Sequence, residues 1–159
     1  MGLGACMKET TLHHYRDPLV EVVSEDEEMN LMGIMIVGSP DDNDSKYLVG
    51  ERAAVSMECM RVDGAILSCN GIGNNHVDYA NTIEEIEKRG IKTVALSLCP
   101  ADQFVVQNQY LDGVLDYYKT EPGEETTVLA ENTVTKLDAR KAAAMLKLRI
   151  RKKRASEEN

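Results

Sequence analysis

Three apolar runs organise the middle of the chain, and each is closed by a residue that favours a turn. They occupy residues 31–40 (LMGIMIVGSP), 63–70 (DGAILSCN) and 91–100 (IKTVALSLCP). Continuous apolar runs with such boundaries are typical of strands that are buried on both faces. The pattern therefore predicts three buried strands.

Helical periodicity predicts a helix after each of the first two strands. In residues 41–60, an acidic opening suits a helix N-terminus. The positions that recur there at helical spacing, and that we expect to face the core, are Leu48, Arg52, Val55 and Cys59. The apolar stripe of the second helix consists of Val77, Ala80, Ile83 and Ile86. Gly90 is expected to end this second helix in a left-handed conformation.

The remaining chain predicts three more helices and a short strand. Residues 103–119 and 137–154 have helical patterns, and residues 126–130 (TTVLA) favour a strand. Another helix is expected to begin at Pro18. Strands that alternate with helices through short connections indicate right-handed units around a parallel sheet.

These elements predict a single-domain, three-layer α/β fold that is Rossmann-like and has a mainly parallel sheet. A chain of 159 residues suits one such domain. We expect residues 1–30 to form an arm or helix that packs on a domain of residues 31–159.

The charge of the chain narrows the range of its partners. A formal net charge of −9 argues against nucleic acid, because phosphate contacts require clustered lysine and arginine. The one basic run, KLRIRKKR, coincides with the expected end of a helix, where cations are favoured. No apolar run approaches the roughly 20 residues of a membrane span. The first residues also lack a signal-peptide pattern, so we expect a cytoplasmic protein.

The turn at residues 68–75 is the strongest candidate for a ligand site. In an open parallel sheet, ligands bind outside the carboxyl ends of the strands, at helix N-termini. Gly71 and Gly73 allow backbone N–H groups to approach a ligand closely, which favours an anion such as a carboxylate or phosphate. Asn74 or Asn75 is expected to cap the helix that follows.

Two more polar residues follow this turn. Histidine is a common proton donor in enzymes, so His76 is a candidate proton donor and a member of the candidate substrate- or anion-binding set, which Asp78 completes. The pattern lacks the third glycine and the acidic residue of a dinucleotide-binding motif, so a nicotinamide cofactor is not expected. The alternative is a tight turn with capping asparagines, in which His76 is an exposed residue of the first helical turn.

The four cysteines lack CxxC spacing, which indicates neither a zinc framework nor a disulfide scaffold. Cys69 and Cys99 each end a predicted strand and are therefore candidate thiols for redox chemistry at one rim of the sheet. The alternative is that each is a small buried hydrophobe. His13 and His14 form no metal motif with Cys6, and no metal is expected.

Three long blocks of the sequence resemble a known family. They are GNNHVDYANTIEEIEKRGIKTVALSL, FVVQNQYLDGVLDYYK and VLAENTVTKLDARKAAAMLKLRIRKK. From about residue 31 to residue 153, the chain resembles the pyruvoyl-type subunits of the glycine/sarcosine/betaine reductase component B and D-proline reductase family. It is most similar to the small accessory proteins of D-proline reductase systems in amino-acid-fermenting anaerobes.

This resemblance implies the reductive cleavage of a C–N bond in an amino acid. In the large members an internal cysteine becomes a pyruvoyl group that condenses with the substrate amine, and a selenocysteine of a partner subunit attacks the α-carbon. Cys6 is the cysteine upstream of the shared domain, so Cys6 and His76 are the catalytic candidates. The implied partners are larger proprotein subunits, selenocysteine-containing reductase subunits and a small amino acid.

Three functions therefore stay open. The chain is an accessory component without a bound cofactor, or a catalytic subunit with a pyruvoyl group at Cys6, or a module that binds an amino acid or other carboxylate without catalysis. A sheet edge or the final helix would supply the surface for a homo-oligomer, but no symmetry is indicated.

Overall fold

The computed structural model describes residues 18–69, 74–97, 100–116 and 134–158. Its regular elements are α1 (Pro18–Glu25), α2 (Asn43–Cys59), β1 (Gly64–Ser68), α3 (Asn75–Lys88), β2 (Lys92–Ser97), β3 (Val114–Asp116) and α4 (Lys136–Glu157). Two short 3-10 turns, Ala101–Gln103 and Leu111–Gly113, connect β2 to β3.

The described strands form one parallel sheet in the order β1-β2-β3. Val94 and Leu96 of β2 pack with α1 and α4, whereas Ala95 packs with α3. Because successive side chains of a strand point to opposite faces, helices cover both faces of the sheet. This arrangement confirms the predicted α/β class with a parallel sheet.

Several helix predictions are confirmed at the residues that explain them. α1 begins at Pro18, and α4 begins after Thr135, which forms a capping box with Asp138. Gly90 follows α3 with a φ of 77°, the left-handed conformation that glycine adopts most readily. The acidic start of α2 is also confirmed: the N–H of Ser45 donates to the Asp42 carboxylate at 2.8 Å, which lowers the pKa of Asp42.

The predicted buried face of α2 is wrong. The four residues of the predicted stripe are exposed, including Cys59. The helix instead packs on α3 through small residues, because Gly50, Ala53 and Ala54 let the two helices approach closely. A Cβ atom at Gly50 would lie 2.4 Å from the amide nitrogen of Asn81.

The predicted first strand is also wrong. Residues 31–40 form no strand, and their apolar side chains are exposed, with Ile34 at 68 % and Ile36 at 66 %. A strand requires a neighbour to pair its backbone, and this run is not paired with β1 in the structure. In the structure the run therefore lies outside the sheet.

In place of the helix predicted at residues 103–119, residues 103–116 form turns and β3, and residues 117–119 lie outside the described residues. The side-chain amide of Gln107 donates to the carbonyl oxygens of Ala101 and Phe104 at 2.8 and 2.9 Å. The N–H of Tyr110 donates to the side-chain oxygen of Asn108 at 2.9 Å. Such bonds compete with helical backbone bonding and explain the difference. The strand predicted at 126–130 lies outside the described residues.

A buried carboxylate joins three of these elements. The Glu87 side chain at the end of α3 is 1 % exposed and accepts hydrogen bonds from the Thr93 N–H at 2.7 Å and the Thr93 hydroxyl at 2.9 Å, both in β2. Lys92 of β2 donates to the Glu87 carboxylate at 2.8 Å, and Arg149 of α4 donates to it at 3.1 Å. Burial raises the pKa of Glu87, but these hydrogen bonds outweigh burial and hold the pKa below its ordinary value.

We expect Glu87→Gln to destabilise the fold by about 3 kcal/mol at neutral pH, because it leaves Lys92 without its carboxylate and takes one of its two carboxylates from Arg149, which keeps Asp112. The contribution of Glu87 is complete above its ordinary pKa of 4.5 and is lost as the pH falls through the lower folded-state pKa. The difference between wild type and variant in urea unfolding should therefore shrink below pH 4.5.

Glu84→Gln is the matched control, because Glu84 lies on the same helix but is 32 % exposed in its pair with Lys88. It should change the free energy of unfolding by less than about 1 kcal/mol. Equal effects of the two variants would contradict the role given to Glu87.

The packing of α2 on α3 gives a second prediction. Gly50→Leu should lower the free energy of unfolding by about 1–3 kcal/mol, because the leucine cannot fit against Asn81 and Thr82. Glu51→Leu places the same side chain on the exposed side of α2 and should change stability by less than about 0.5 kcal/mol. Urea denaturation of both variants measures the difference, and a neutral Gly50→Leu would refute the close approach.

Candidate functional site

The candidate site lies where β1 ends and α3 begins. A cavity of about 880 Å³ reaches this point, and its wall there includes Ser68 and Cys69 at the end of β1 and Asn75 and Asp78 at the start of α3. This is the end of a parallel sheet at which ligands bind in open α/β folds.

A charged pair is buried beside the cavity. Lys46, in the first turns of α2, is 2 % exposed, and its ammonium nitrogen lies 2.8 Å from Oδ1 and 2.9 Å from Oδ2 of Asp78. A buried ammonium group is tolerated when a carboxylate pairs with it closely. The pair therefore fixes the start of α3 against α2 and neutralises the carboxylate at the mouth of the cavity.

Ser39 adds a third element to this location. Its hydroxyl contacts the Asp78 carboxylate and lies 3.1 Å from the side-chain oxygen of Asn75. Residues from the chain before α2, from α2 and from α3 thus meet here. We call this group the rim cluster: Ser39, Lys46, Asn75 and Asp78.

The start of α3 differs in part from the prediction. Asn74 occupies the N-cap position, but its side chain forms no capping hydrogen bond, because its backbone is already helical. Asn75 is the first residue of the helix rather than its cap. Gly71 and Gly73, the glycines of the predicted anion-binding turn, lie outside the described residues.

His76 is buried and does not lie against the cavity with its neighbours. Its ring stacks on Phe104 with 4.5 Å between ring centroids, and its Nδ1 accepts the N–H of Val105 at 3.3 Å. The alternative of an exposed first-turn histidine is therefore wrong. This placement gives His76 a packing role, and its role as a proton donor stays a hypothesis.

The candidate thiols are only partly described. Cys69 is half-buried, lines the cavity and packs beside the cluster that contains Tyr79 and Phe104. Cys99 and Cys6 lie outside the described residues, so the proximity of Cys69 to Cys99 stays a prediction. In the described part of the chain, no group of three or more His, Cys, Asp or Glu side chains is placed to hold a metal ion.

Two residues of the rim cluster were not singled out by the sequence. Ser39 lies in the Gly-Ser-Pro turn after an apolar run, and Lys46 follows the helix cap Asp42 by four residues. Both positions look like ordinary surface positions in a sequence. Lys46, Gly50 and Ala53 recur at helical spacing and therefore lie on one face of α2. The small size of Gly50 and Ala53 indicates that this face packs closely on another element.

Comparison with known proteins places the chain among reductase components. The profile of the family described as Glycine/sarcosine/betaine reductase component B subunits matches residues 2–103. D-proline reductase proprotein PrdA of Acetoanaerobium sticklandii is 42 % identical over 149 residues, which cover 93 % of this chain and 24 % of that protein. Glycine reductase complex component B subunits alpha and beta of the same organism are 31 % identical over 102 residues, 60 % of this chain and 23 % of that protein.

The corresponding glycine reductase protein of Peptoclostridium acidaminophilum is 30 % identical over 99 residues, 58 % of this chain and 22 % of that protein. The chain thus spans about a quarter of the length of these curated relatives. No solved structure matches it. No helix among the described residues is both long and apolar enough to cross a membrane. Because the family profile covers more than half of its residues, the chain belongs to the glycine/sarcosine/betaine reductase component B family.

Proposed function

We propose that the chain is an accessory component of a D-proline- or glycine-type reductase system, which cleaves a C–N bond of an amino acid reductively. Family membership supports this function, and the matching relatives are named for D-proline reductase and for the glycine reductase complex. The proposed partners are the larger proprotein subunits and the selenocysteine-containing subunits of that system.

Within this system, the rim cluster is proposed to receive the carboxylate of a small amino acid. The observation that carries this proposal is the Lys46–Asp78 pair at the start of α3. A chain with a net charge of −9 repels anions, so a carboxylate needs a locally neutralised surface. The pairing of Asp78 with Lys46 provides that surface, and the N-terminus of α3 favours negative charge.

The other predicted binding residues fit around this point. Asn75 lines the cavity next to Asp78, and Asn74 is exposed at the N-cap of α3. The backbone N–H groups of the turn at Gly71 and Gly73 are proposed to complete the carboxylate site. A ligand held there would lie beside Ser68 and Cys69 at the end of β1.

Carboxylate binding at the rim does not require a pyruvoyl group. Such a group would supply a carbonyl that withdraws electrons from the α-carbon of the substrate. It would have to form at Cys6, which lies outside the described residues. The catalytic alternative, with a pyruvoyl group at Cys6, therefore stays a hypothesis beside the accessory function that we propose.

Isothermal titration with D-proline, glycine and betaine tests the carboxylate site. Lys46→Met leaves the Asp78 carboxylate uncompensated, so the Kd of the amino acid that binds should rise at least about tenfold, or 1.4 kcal/mol. Lys46→Met combined with Asp78→Asn removes both charges and should recover most of the affinity. The melting temperature of each variant shows whether the fold persists.

Lys88→Met is the matched control for this titration. Lys88 also pairs with carboxylates of α3, at 3.0 Å from Glu84 and Glu85, but it lies at the far end of the helix. It should leave the Kd unchanged. If none of the three amino acids binds, or if the single Lys46 variant binds as well as wild type, the rim is not the carboxylate site.

Affinity purification tests the accessory role separately from ligand binding. The tagged chain, expressed in a proline-fermenting anaerobe, should retain proprotein-derived and selenocysteine-containing reductase subunits, identified by mass spectrometry. Purification of an equally acidic unrelated protein with the same tag controls for non-specific capture, since a strongly charged surface attracts partners without specificity. Absence of all reductase subunits from the eluate would refute the accessory role and leave family membership intact.

A further inference from the structure

Within the described part of the chain, the edge of the sheet along β1 is open. Among the described strands, β1 pairs with β2 alone. The N–H of Cys69, just after β1, donates to the Leu96 carbonyl oxygen at 3.3 Å. Because N–H groups alternate between the two sides of a strand, those of Ile66 and Ser68 point to the open edge. Such an edge is a template for a further strand.

The residues that precede α2 have the composition of that missing strand. In residues 31–37, hereafter the strap, six of the seven side chains are large, apolar and exposed: Leu31, Met32, Ile34, Met35, Ile36 and Val37. Odd- and even-numbered positions both carry apolar side chains, so the two faces of such a strand would both be apolar. This suits a strand that is covered on both faces. A contiguous exposed patch of this kind is rare unless something covers it.

The cavity lies between the strap and the open edge. The strap lines one side of the cavity, and β1 lines the other. Leu19 of α1 and Leu146 of α4 close it on one face of the sheet, and Met57 and Met60 at the end of α2 close it on the other. Apolar side chains therefore line this open cavity of about 880 Å³ on both faces of the position that a fourth strand would occupy, and charged side chains such as Asp63 and Arg151 also line it.

The two ends of the strap are already held at the two ends of β1. Before the strap, Glu28 pairs with Lys147 at 2.9 Å and with Arg151 of α4. This part of α4 passes the start of β1, because the side chain of Leu146 would lie 2.8 Å from a Cβ atom at Gly64.

After the strap, Ser39 contacts Asn75 and Asp78 at the start of α3, which lies beyond the end of β1. The strap therefore runs in the same direction as β1. Residues 29–39 reach roughly 33 Å when extended, which is longer than β1 and leaves slack for the outward path in the structure. A Cβ atom at Gly38, just after the strap, would have no neighbour within 4 Å, so the chain stands away from the body at this point.

We propose that the strap docks along the open edge of β1 as a fourth, parallel strand. Docking pairs the N–H groups of Ile66 and Ser68, buries the six apolar side chains in the cavity and closes the cavity beside the rim cluster. The strap outcompetes a second copy for this edge because it is tethered at both ends, which gives it an effective concentration in the millimolar range.

Hydrogen exchange of the full chain, followed by NMR, tests this inference. In the docked form the Ile66 and Ser68 amides are protected. In Ile34→Asp/Ile36→Asp, whose carboxylates cannot enter the cavity, both amides should exchange at least about tenfold faster. The Leu67 amide, which faces β2, is the internal reference. Its exchange rate in the variant should change only as much as the change in the free energy of global unfolding requires.

Leu48→Asp/Val55→Asp is the matched control, since it makes the same chemical change on exposed residues of α2. It should leave the Ile66 and Ser68 amides protected. Equal exchange of these amides in wild type and in the strap variant would overturn the inference. Protection that rises with protein concentration would also overturn it, because the edge would then belong to a second copy.

A measurement on the wild type alone covers the case in which the strap variant fails to fold. Docking requires nuclear Overhauser contacts between backbone protons of the strap and those of Ile66 or Ser68, because paired strands lie about 4.8 Å apart. Their absence in a fully assigned spectrum would refute the docked strap.

Discussion

The buried carboxylate of Glu87 is the contact on which the arrangement of the layers depends. It accepts hydrogen bonds from the backbone and side chain of Thr93 in β2 and pairs with Arg149 of α4. A carboxylate buried this deeply is tolerated only when it is fully paired, so α3, β2 and α4 must keep one relative position. Since α3 is a rigid helix, this contact also sets where its first turn lies, with Asn75 and Asp78.

The buried carboxylate of Glu87 and the partly buried carboxylate of Asp78 lie at opposite ends of α3 and in different surroundings. Glu87 is enclosed by the sheet and α4, whereas Asp78 meets Lys46 beside the cavity. The first pair joins layers at the end where β2 begins, and the second neutralises a surface at the end where β1 stops. This division matches parallel sheets in general, in which the carboxyl ends of the strands are left for ligands.

Ser39 connects the candidate site to the open edge of the sheet. It ends the apolar segment that lies outside β1, and it also contacts Asp78 in the rim cluster. A rearrangement of that segment that displaces Ser39 therefore alters the rim cluster, because it changes the contacts of Ser39 with Asn75 and Asp78. Edge pairing and the shape of the candidate site depend on the same few residues.

The amino-acid sequence predicted those helices and strands that are determined by residues within or next to them. α1, α3 and α4 carry their own start or stop residues, such as the capping box at Thr135, and β1 and β2 each contain a short apolar run. The same pattern marked Asn75 and Asp78 as polar residues after a strand. It did not show that Lys46 is buried against Asp78, or that residues 31–40 lie outside the sheet, because burial and strand pairing depend on distant segments. Periodicity states which face of a segment can be buried, whereas contacts between segments far apart in the chain select the face that is buried.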